Sequence, residues 1–259
     1  MAPNKEETKV AISAEEGIIN EWNKKYQSEE ADMTIKSSDN LIFRVHSYRM
    51  MAASKVFRDM IQIGSKTDQA QEIPLTDQDI ETSTVVSLFL DITYAFDMPE
   101  PKDCNDFDKD SNLVTFSIKY EAQPAIQYLG KLFYSWVSSG KFRSDLVLVE
   151  ACRLDDPSLG GAAIAAVGHY PHMTQDSANS GGMLQLQKKA DEADPLAKDG
   201  YNCDVMDPLG MSLSRFQSLS DRYKLALLRG CQSYVYTRKP QPDWKSASQS
   251  FEKYVRKVK

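Results

Sequence analysis

The sequence predicts an α+β fold: a few short strands set among helices up to about residue 138, then an α-helical C-terminal region. Two observations carry that reading. Period-two alternation at Met33/Ile35 and at Leu41/Phe43/Val45 flanks a Ser38-Asp39-Asn40 turn, the pattern of a β-hairpin. The longer apolar patterns that follow recur at helical spacing instead.

The elements follow in order. Residues 1–31 are polar and acid-rich, with Ile18, Ile19, Trp22 and Tyr26 spaced for a short amphipathic helix. After the hairpin, Tyr48, Met51, Val56, Phe57, Met60 and Ile61 predict two helices with a bend near Ala53-Ser54, closed by Gly64. Ile73-Pro74-Leu75 reads as a short strand, and its proline places it at a sheet edge or a strand start. Thr76-Asp77 offers a cap for a helix carrying Ile80, Val85, Leu88, Phe89 and Ile92. From Asp97 to Asp110, six acids, two lysines and two prolines predict an exposed loop. Helices resume through Val114 and Ile118, then Ile126, Leu129, Phe133 and Trp136, then Leu146, Val149 and Cys152. A small-residue segment runs from Leu159 to Val167. Residues 169–208 read as a loop or linker, with a short helix at Met183 to Ala190, and two helices close the chain, around Tyr223 and around Phe251. The expected organisation is therefore a polar segment at 1–31, an α+β domain at 32–138 and a helical region at 139–259.

Composition narrows the class without naming an activity. At 259 residues, 41% of them hydrophobic, the chain is long enough to bury a core without disulfide or metal staples. With 31 basic and 37 acidic residues the net charge is −6, which gives no global preference for nucleic acid or anionic membrane. No apolar run approaches the roughly 20 residues of a membrane span. Met1 to Val10 lacks the apolar centre of a signal peptide. Cys104, Cys152, Cys203 and Cys231 lie far apart and are expected to be reduced thiols in an intracellular protein, cytoplasmic or nuclear.

Catalytic constellations are scarce, and no enzyme activity or cofactor is expected. No Gly-x-x-x-x-Gly-Lys-Ser/Thr loop occurs, no Gly-x-Gly-x-x-Gly follows a strand, and no Gly-x-Ser-x-Gly elbow is present. Gly160-Gly161 and Gly181-Gly182 lack the context of a phosphate cradle. His169 and His172 are separated by Pro171, with no cysteine pair to complete a zinc set. Asp106, Asp108 and Asp110 alternate as in a calcium loop but lack its glycine and distal glutamate, so a solvated loop is the expectation and no metal is.

One stretch is specific. Asp32 before the first strand, a hairpin ending Phe43-Arg-Val-His46, and Met51-Ala52-Ala53-Ser54-Lys-Val-Phe57-Arg-Asp-Met60 together resemble the opening of a BTB/POZ domain. The order of elements over residues 32–138 is similar to that family's, and Tyr94 falls where the family often has a tyrosine. The helices around Leu146 to Leu154 and the run Tyr223-Lys-Leu-Ala226-Leu227-Leu228 resemble the C-terminal parts of fungal variants.

The resemblance implies a short mixed β-sheet flanked by helices. Asp32, Phe43, His46, Ala52, Ala53, Ser54, Phe57 and Met60 then serve mainly to specify the fold. His46 is expected to bond backbone near the first helix, Ala52 and Ala53 to let two helices approach, and Phe57 and Met60 to fill the core. The family usually has a basic residue directly after the histidine, pairing with the aspartate in a pocket at a homodimer interface. Here Ser47 stands there, and Arg49 is the nearest cation.

The function implied is non-catalytic protein–protein interaction, with a homodimer partner or another regulatory protein. Adaptor of a cullin-type ubiquitin ligase is one alternative and DNA-associated regulator another. The interface candidates are Ile18, Trp22, Asp32, Arg49 and Tyr94. A separate basic surface is expected from Arg238, Lys239, Lys245, Lys253, Arg256 and Lys257, in a 22-residue end with seven basic and two acidic groups. For that end the expectation is a terminal helix docking Phe251 and Val255 with its lysines in water. Nucleic acid and membrane are not the expected partners.

Overall fold

The computed structural model describes residues 21–64, 71–98, 104–139, 144–166, 213–237 and 243–258. Ile18, Ile19, the 169–208 segment with both its histidines, Arg238 and Lys239 lie outside them. The chain divides into two compact units, residues 1–126 and 127–259. No helix of the described residues is long and apolar enough to cross a membrane.

The first unit is built on the hairpin. Strands β2 (Met33–Lys36) and β3 (Leu41–Val45) run antiparallel, with Met33 opposite Val45 and Ile35 opposite Phe43. All four of those side chains are buried, as the alternation requires. Asn40 takes the left-handed backbone of the turn (φ 68°), a conformation asparagine tolerates. Strands β1 (Glu21–Trp22) and β4 (Gln71–Pro74) join in parallel at the two edges, giving the order β1-β3-β2-β4. Pro74 sits on an edge strand, where its missing N–H costs nothing to the ladder.

Trp22 lies in β1 rather than in the expected amphipathic helix. It pairs with Ile42 of β3, and the Asn23 N–H then bonds the Ile42 carbonyl at 2.9 Å. An Asx turn at Asn23 follows, its side chain accepting from the Lys25 N–H at 2.9 Å, and it carries the chain to the buried Tyr26. A parallel edge pairing satisfies this backbone, so an isolated helical turn gains nothing here.

Helices α1 (Ser47–Ala53) and α2 (Lys55–Gly64) meet at Ser54, as the predicted bend requires. The Ser54 hydroxyl donates to the Tyr120 carbonyl at 2.5 Å and accepts from the Phe57 N–H at 3.0 Å. Phe57 is fully buried and stacks on Tyr120 with 4.5 Å between ring centroids, beside Phe89 and Phe116. Two signature residues differ from expectation. Met60 is 39% exposed and Ile61 takes the core position, because i+4 from Phe57 lies on the buried face. Ala52 is exposed, and Ala53 alone is packed inside.

Helix α3 (Ser83–Thr93) begins six residues after the predicted Thr76-Asp77 cap. Asp77 instead closes a turn, its carboxylate accepting from the N–H groups of Asp79 and Ile80. Helix α4 (Cys104–Lys119) occupies the second half of the expected acidic loop. In sequence, acidic residues suit the first turns of a helix as well as a loop. Loop composition and helix N-terminal composition coincide there.

The second unit is helical: α5 (Gln123–Ser138, entering from the first unit), α6 (Ser144–Arg153), α7 (Pro157–Ala165), α8 (Leu213–Ser218), α9 (Asp221–Thr237) and α10 (Trp244–Lys257). Buried Asp145 pairs with Arg215, and the Tyr223 hydroxyl donates to the Ala151 carbonyl at 3.1 Å. The Asp156 carboxylate caps α7 by accepting from Ser158 and Leu159 N–H groups.

The Gly160-Gly161 pair is a packing surface on which α10 lies. A Cβ built on Gly160 would stand 2.7 Å from the fully buried Phe251 ring, whereas one on Gly161 meets the flexible Glu252 side chain. Ser248 donates to the Gly161 carbonyl at 2.7 Å across the same seam. Gly160→Ala is expected to cost about 1–3 kcal/mol through overpacking. Gly161→Ala stays within about 1 kcal/mol of wild type, because gained helix propensity offsets the displaced carboxylate. Chemical denaturation of the two variants checks the difference.

Candidate functional site: the β2–α1–α3 face

Three of the residues singled out for an interface, Asp32, Arg49 and Tyr94, come together at the end of the hairpin. Asp32, at the entry to β2, is exposed, and its carboxylate accepts from the Ser47 backbone N–H at 2.7 Å and from the Ser47 hydroxyl at 2.5 Å. Ser47 is the first residue of α1, so the carboxylate satisfies a helix N-terminus from outside the helix. The same device recurs. Asp39, in the hairpin turn, accepts from the Ser83 N–H at 2.8 Å and from its hydroxyl at 2.6 Å, at the start of α3. Two strand-end aspartates thus fasten the two helices that frame this face.

Both carboxyls sit below the ordinary aspartate range. Burial alone would raise them, and the hydrogen bonds from the serines, side chain and backbone, outweigh it. A carboxyl lower in the folded chain than in the unfolded one stabilises above its unfolded value, near 3.9. That contribution fades as pH falls through the lowered folded value. Asp32→Asn is therefore expected to cost roughly 0.5–1 kcal/mol at neutral pH, in the range of a lost helix cap. The gap from wild type narrows below about pH 4, as urea midpoints measured across pH would register.

His46 bonds a side chain, not the backbone expected of it. Its ring Nδ1 lies 2.9 Å from the Tyr94 hydroxyl, which also accepts the His46 backbone N–H at 2.9 Å. Tyr94 thereby ties the end of β3 to the end of α3. Burial raises the Tyr94 hydroxyl above the ordinary tyrosine value, and it stays protonated at neutral pH.

Around this pair lies a layer of rings and cations. The Arg49 guanidinium stands 5.5 Å from the ring centres of both Tyr48 and Tyr94, and its Nε donates to the Tyr48 hydroxyl at 3.2 Å. Tyr94 stacks against Phe96, and Lys25 sits 4.3 Å over the Phe96 ring. Buried Asp91 pairs with the Lys25 ammonium at 2.5 Å and accepts a hydrogen bond from the Tyr26 hydroxyl. Burial and the Asp91 carboxylate push the Tyr26 hydroxyl well up, so it remains a donor. Tyr48 is 57% exposed and Phe96 44% exposed, so the layer ends in two large open rings beside a cation.

Of the interface candidates, Asp32, Arg49 and Tyr94 belong to this face. Trp22 is placed along the sheet edge, under the Arg44 guanidinium at 5.0 Å. Tyr48, Phe96 and Lys25 complete the face without having been singled out by the sequence. For Tyr48 and Phe96 the one local hint was their nearness in sequence to Arg49 and Tyr94, and Lys25 had none.

The signature residues Phe43, Ala53, Ser54 and Phe57 are buried in the core. Elsewhere in the unit Glu81, which sequence reading missed, is buried too. Its carboxylate accepts from the N–H groups of Thr76 and Asp77, from the Tyr120 hydroxyl at 2.6 Å and from Lys119 at 2.8 Å.

In the second unit, α10 buries Phe251 and Val255 and leaves Lys245, Lys253, Arg256 and Lys257 exposed. Arg256 is engaged by Ser158 and Glu252. These cations form the outer side of a docked amphipathic helix. Among the described residues no group of His, Cys, Asp or Glu is arranged to hold a metal.

Comparison with known proteins agrees with the sheet and its flanking helices. The BTB/POZ domain family matches residues 22–111, which hold the hairpin, α1 to α3 and the face just described. BTB/POZ domains are protein–protein interaction modules, generally non-catalytic. No curated protein matches the chain.

Proposed function

We propose that the BTB/POZ domain of this chain recruits a partner protein through the Tyr48–Arg49–Tyr94–Phe96 face, and that the usual charged-pocket homodimer is not its mode of action. The observation that carries the reading is Ser47. In place of a cation, it holds Asp32 inside its own chain through both its N–H and its hydroxyl. Asp32 is then supplied with donors without a second copy. The face beside it keeps two open aromatic rings and an arginine, residue types enriched at the energetic centres of interfaces.

Two measurements test this. Light scattering on the purified chain is expected to give a mass near 29.2 kDa, and twice that value would move the reading to self-association. Quantitative affinity capture is expected to enrich partners on wild type that a folded Tyr48→Ala/Phe96→Ala variant loses. Loss of each ring is expected to weaken capture by about 1–2 kcal/mol, in keeping with interface aromatic residues. Identical partner profiles for the two proteins would remove this face from the function.

A further inference from the structure

We propose that the partner segment received by this face is acidic, with Arg49 taking a carboxylate while Tyr48 and Phe96 cover its apolar side chains. The inference rests on the interaction reading above and adds the chemistry of the ligand.

Arg49 is exposed and forms no ion pair among the described residues. Its hydrogen bond to Tyr48 uses Nε, and the guanidinium is held in place by two rings rather than by an acid. A guanidinium fixed over aromatic faces keeps terminal N–H groups able to grip a carboxylate as a fork. The nearby acids are already occupied: Asp32 by Ser47, and Asp91 by Lys25 and Tyr26. Lys25 offsets the Asp91 charge, and the Ser47 donors engage the Asp32 oxygens while leaving their charge in place. Asp97, exposed and next to Phe96, sets the polarity of the site. It repels an acid at the Phe96 end, so the ligand carboxylate belongs at the Arg49 end and the apolar residues toward Phe96. A nucleic acid is a poorer occupant, since phosphate binding draws on several free cations along one track. Here Lys25 is committed to Asp91, which leaves no such track.

The test uses the full chain and two fluorescein-labelled peptides, one alternating glutamate with phenylalanine and serine, the other with lysine at every glutamate. In fluorescence anisotropy the glutamate peptide is expected to bind at least about tenfold more tightly than the lysine peptide, and more weakly as salt rises from about 0.05 to 0.2 M. Arg49→Ala is expected to lose about tenfold, and Arg49→Lys to lose less, since an ammonium keeps the charge without the fork. No binding of the glutamate peptide, equal binding of both peptides, or an unchanged Arg49→Ala variant overturns the proposal. If the capture experiment still shows partners that depend on Tyr48 and Phe96, the interaction reading survives and only the acidic ligand falls.

Discussion

Phe57→Ala is expected to lower the stability of the first unit by about 3–5 kcal/mol. The ring is fully buried, stacked on Tyr120 and enclosed by Phe89 and Phe116. Its neighbours are themselves large and rigid, so they relax poorly into the void and leave much of it open. Met60→Ala, three residues along the same helix, is expected to cost less than about 1 kcal/mol, because that side chain is already partly in water. Guanidinium melts followed by tryptophan fluorescence and by circular dichroism measure both. Equal losses for the two variants would contradict the packing described.

Glu81→Gln is the second. Glu81 gathers two backbone N–H groups, a tyrosine hydroxyl and an ammonium onto one carboxylate. An amide of the same shape has one acceptor and turns a donor toward groups that also donate, so at least one buried donor goes unmet, at about 1–3 kcal/mol. Lys119 adds less than its short distance suggests: it is nearly half exposed and keeps Asp77 at 3.0 Å. A loss of about 2–3 kcal/mol is therefore expected for the variant at neutral pH.

The pH dependence follows from the same contacts. Burial raises the Glu81 carboxyl, but hydrogen bonds from Lys119, Tyr120 and the two backbone groups leave it below the ordinary glutamate value. Its contribution is present above about pH 4.3 and fades as pH falls through the lower folded value. Wild type and variant should converge in that acid window, and a constant gap from pH 7 to pH 3 would count against the network.

The legible parts of the fold were those with local periodicity. The hairpin showed in alternation, and Phe57 and Ser54 in the spacing of a bent helical pair. What misled was composition without partners. Four apolar residues at helical spacing around Trp22 resembled a helix, yet a strand nineteen residues further on offered the backbone a ladder, and no local pattern records that. Asp106, Asp108 and Asp110 suit a loop and a helix N-terminus equally. Glu81 was invisible because its partners come from Thr76, Asp77 and the distant Lys119-Tyr120 pair, so an acid beside Ile80 gave no sign of burial.

The candidate face divides in the same way. Asp32, Arg49 and Tyr94 were reachable through family resemblance, while Tyr48 and Phe96 owe their place to how α1 and α3 end. Ser47 was visible in sequence only as a missing cation. Its positive role, filling the aspartate from the helix start, depends on three-dimensional register.

The glycine seam of the second unit has a consequence for how this sequence can drift. Position 160 faces an immovable ring, while position 161 faces a side chain that can swing aside. In a saturation library selected only for folding, Gly160 should come through almost unchanged while Gly161 accumulates alanine and serine. Lys245 and Lys253, on the outward side of the same helix, should scatter freely. Two adjacent identical letters thus carry unequal amounts of heritable information, and the difference is the stiffness of Phe251 against Glu252.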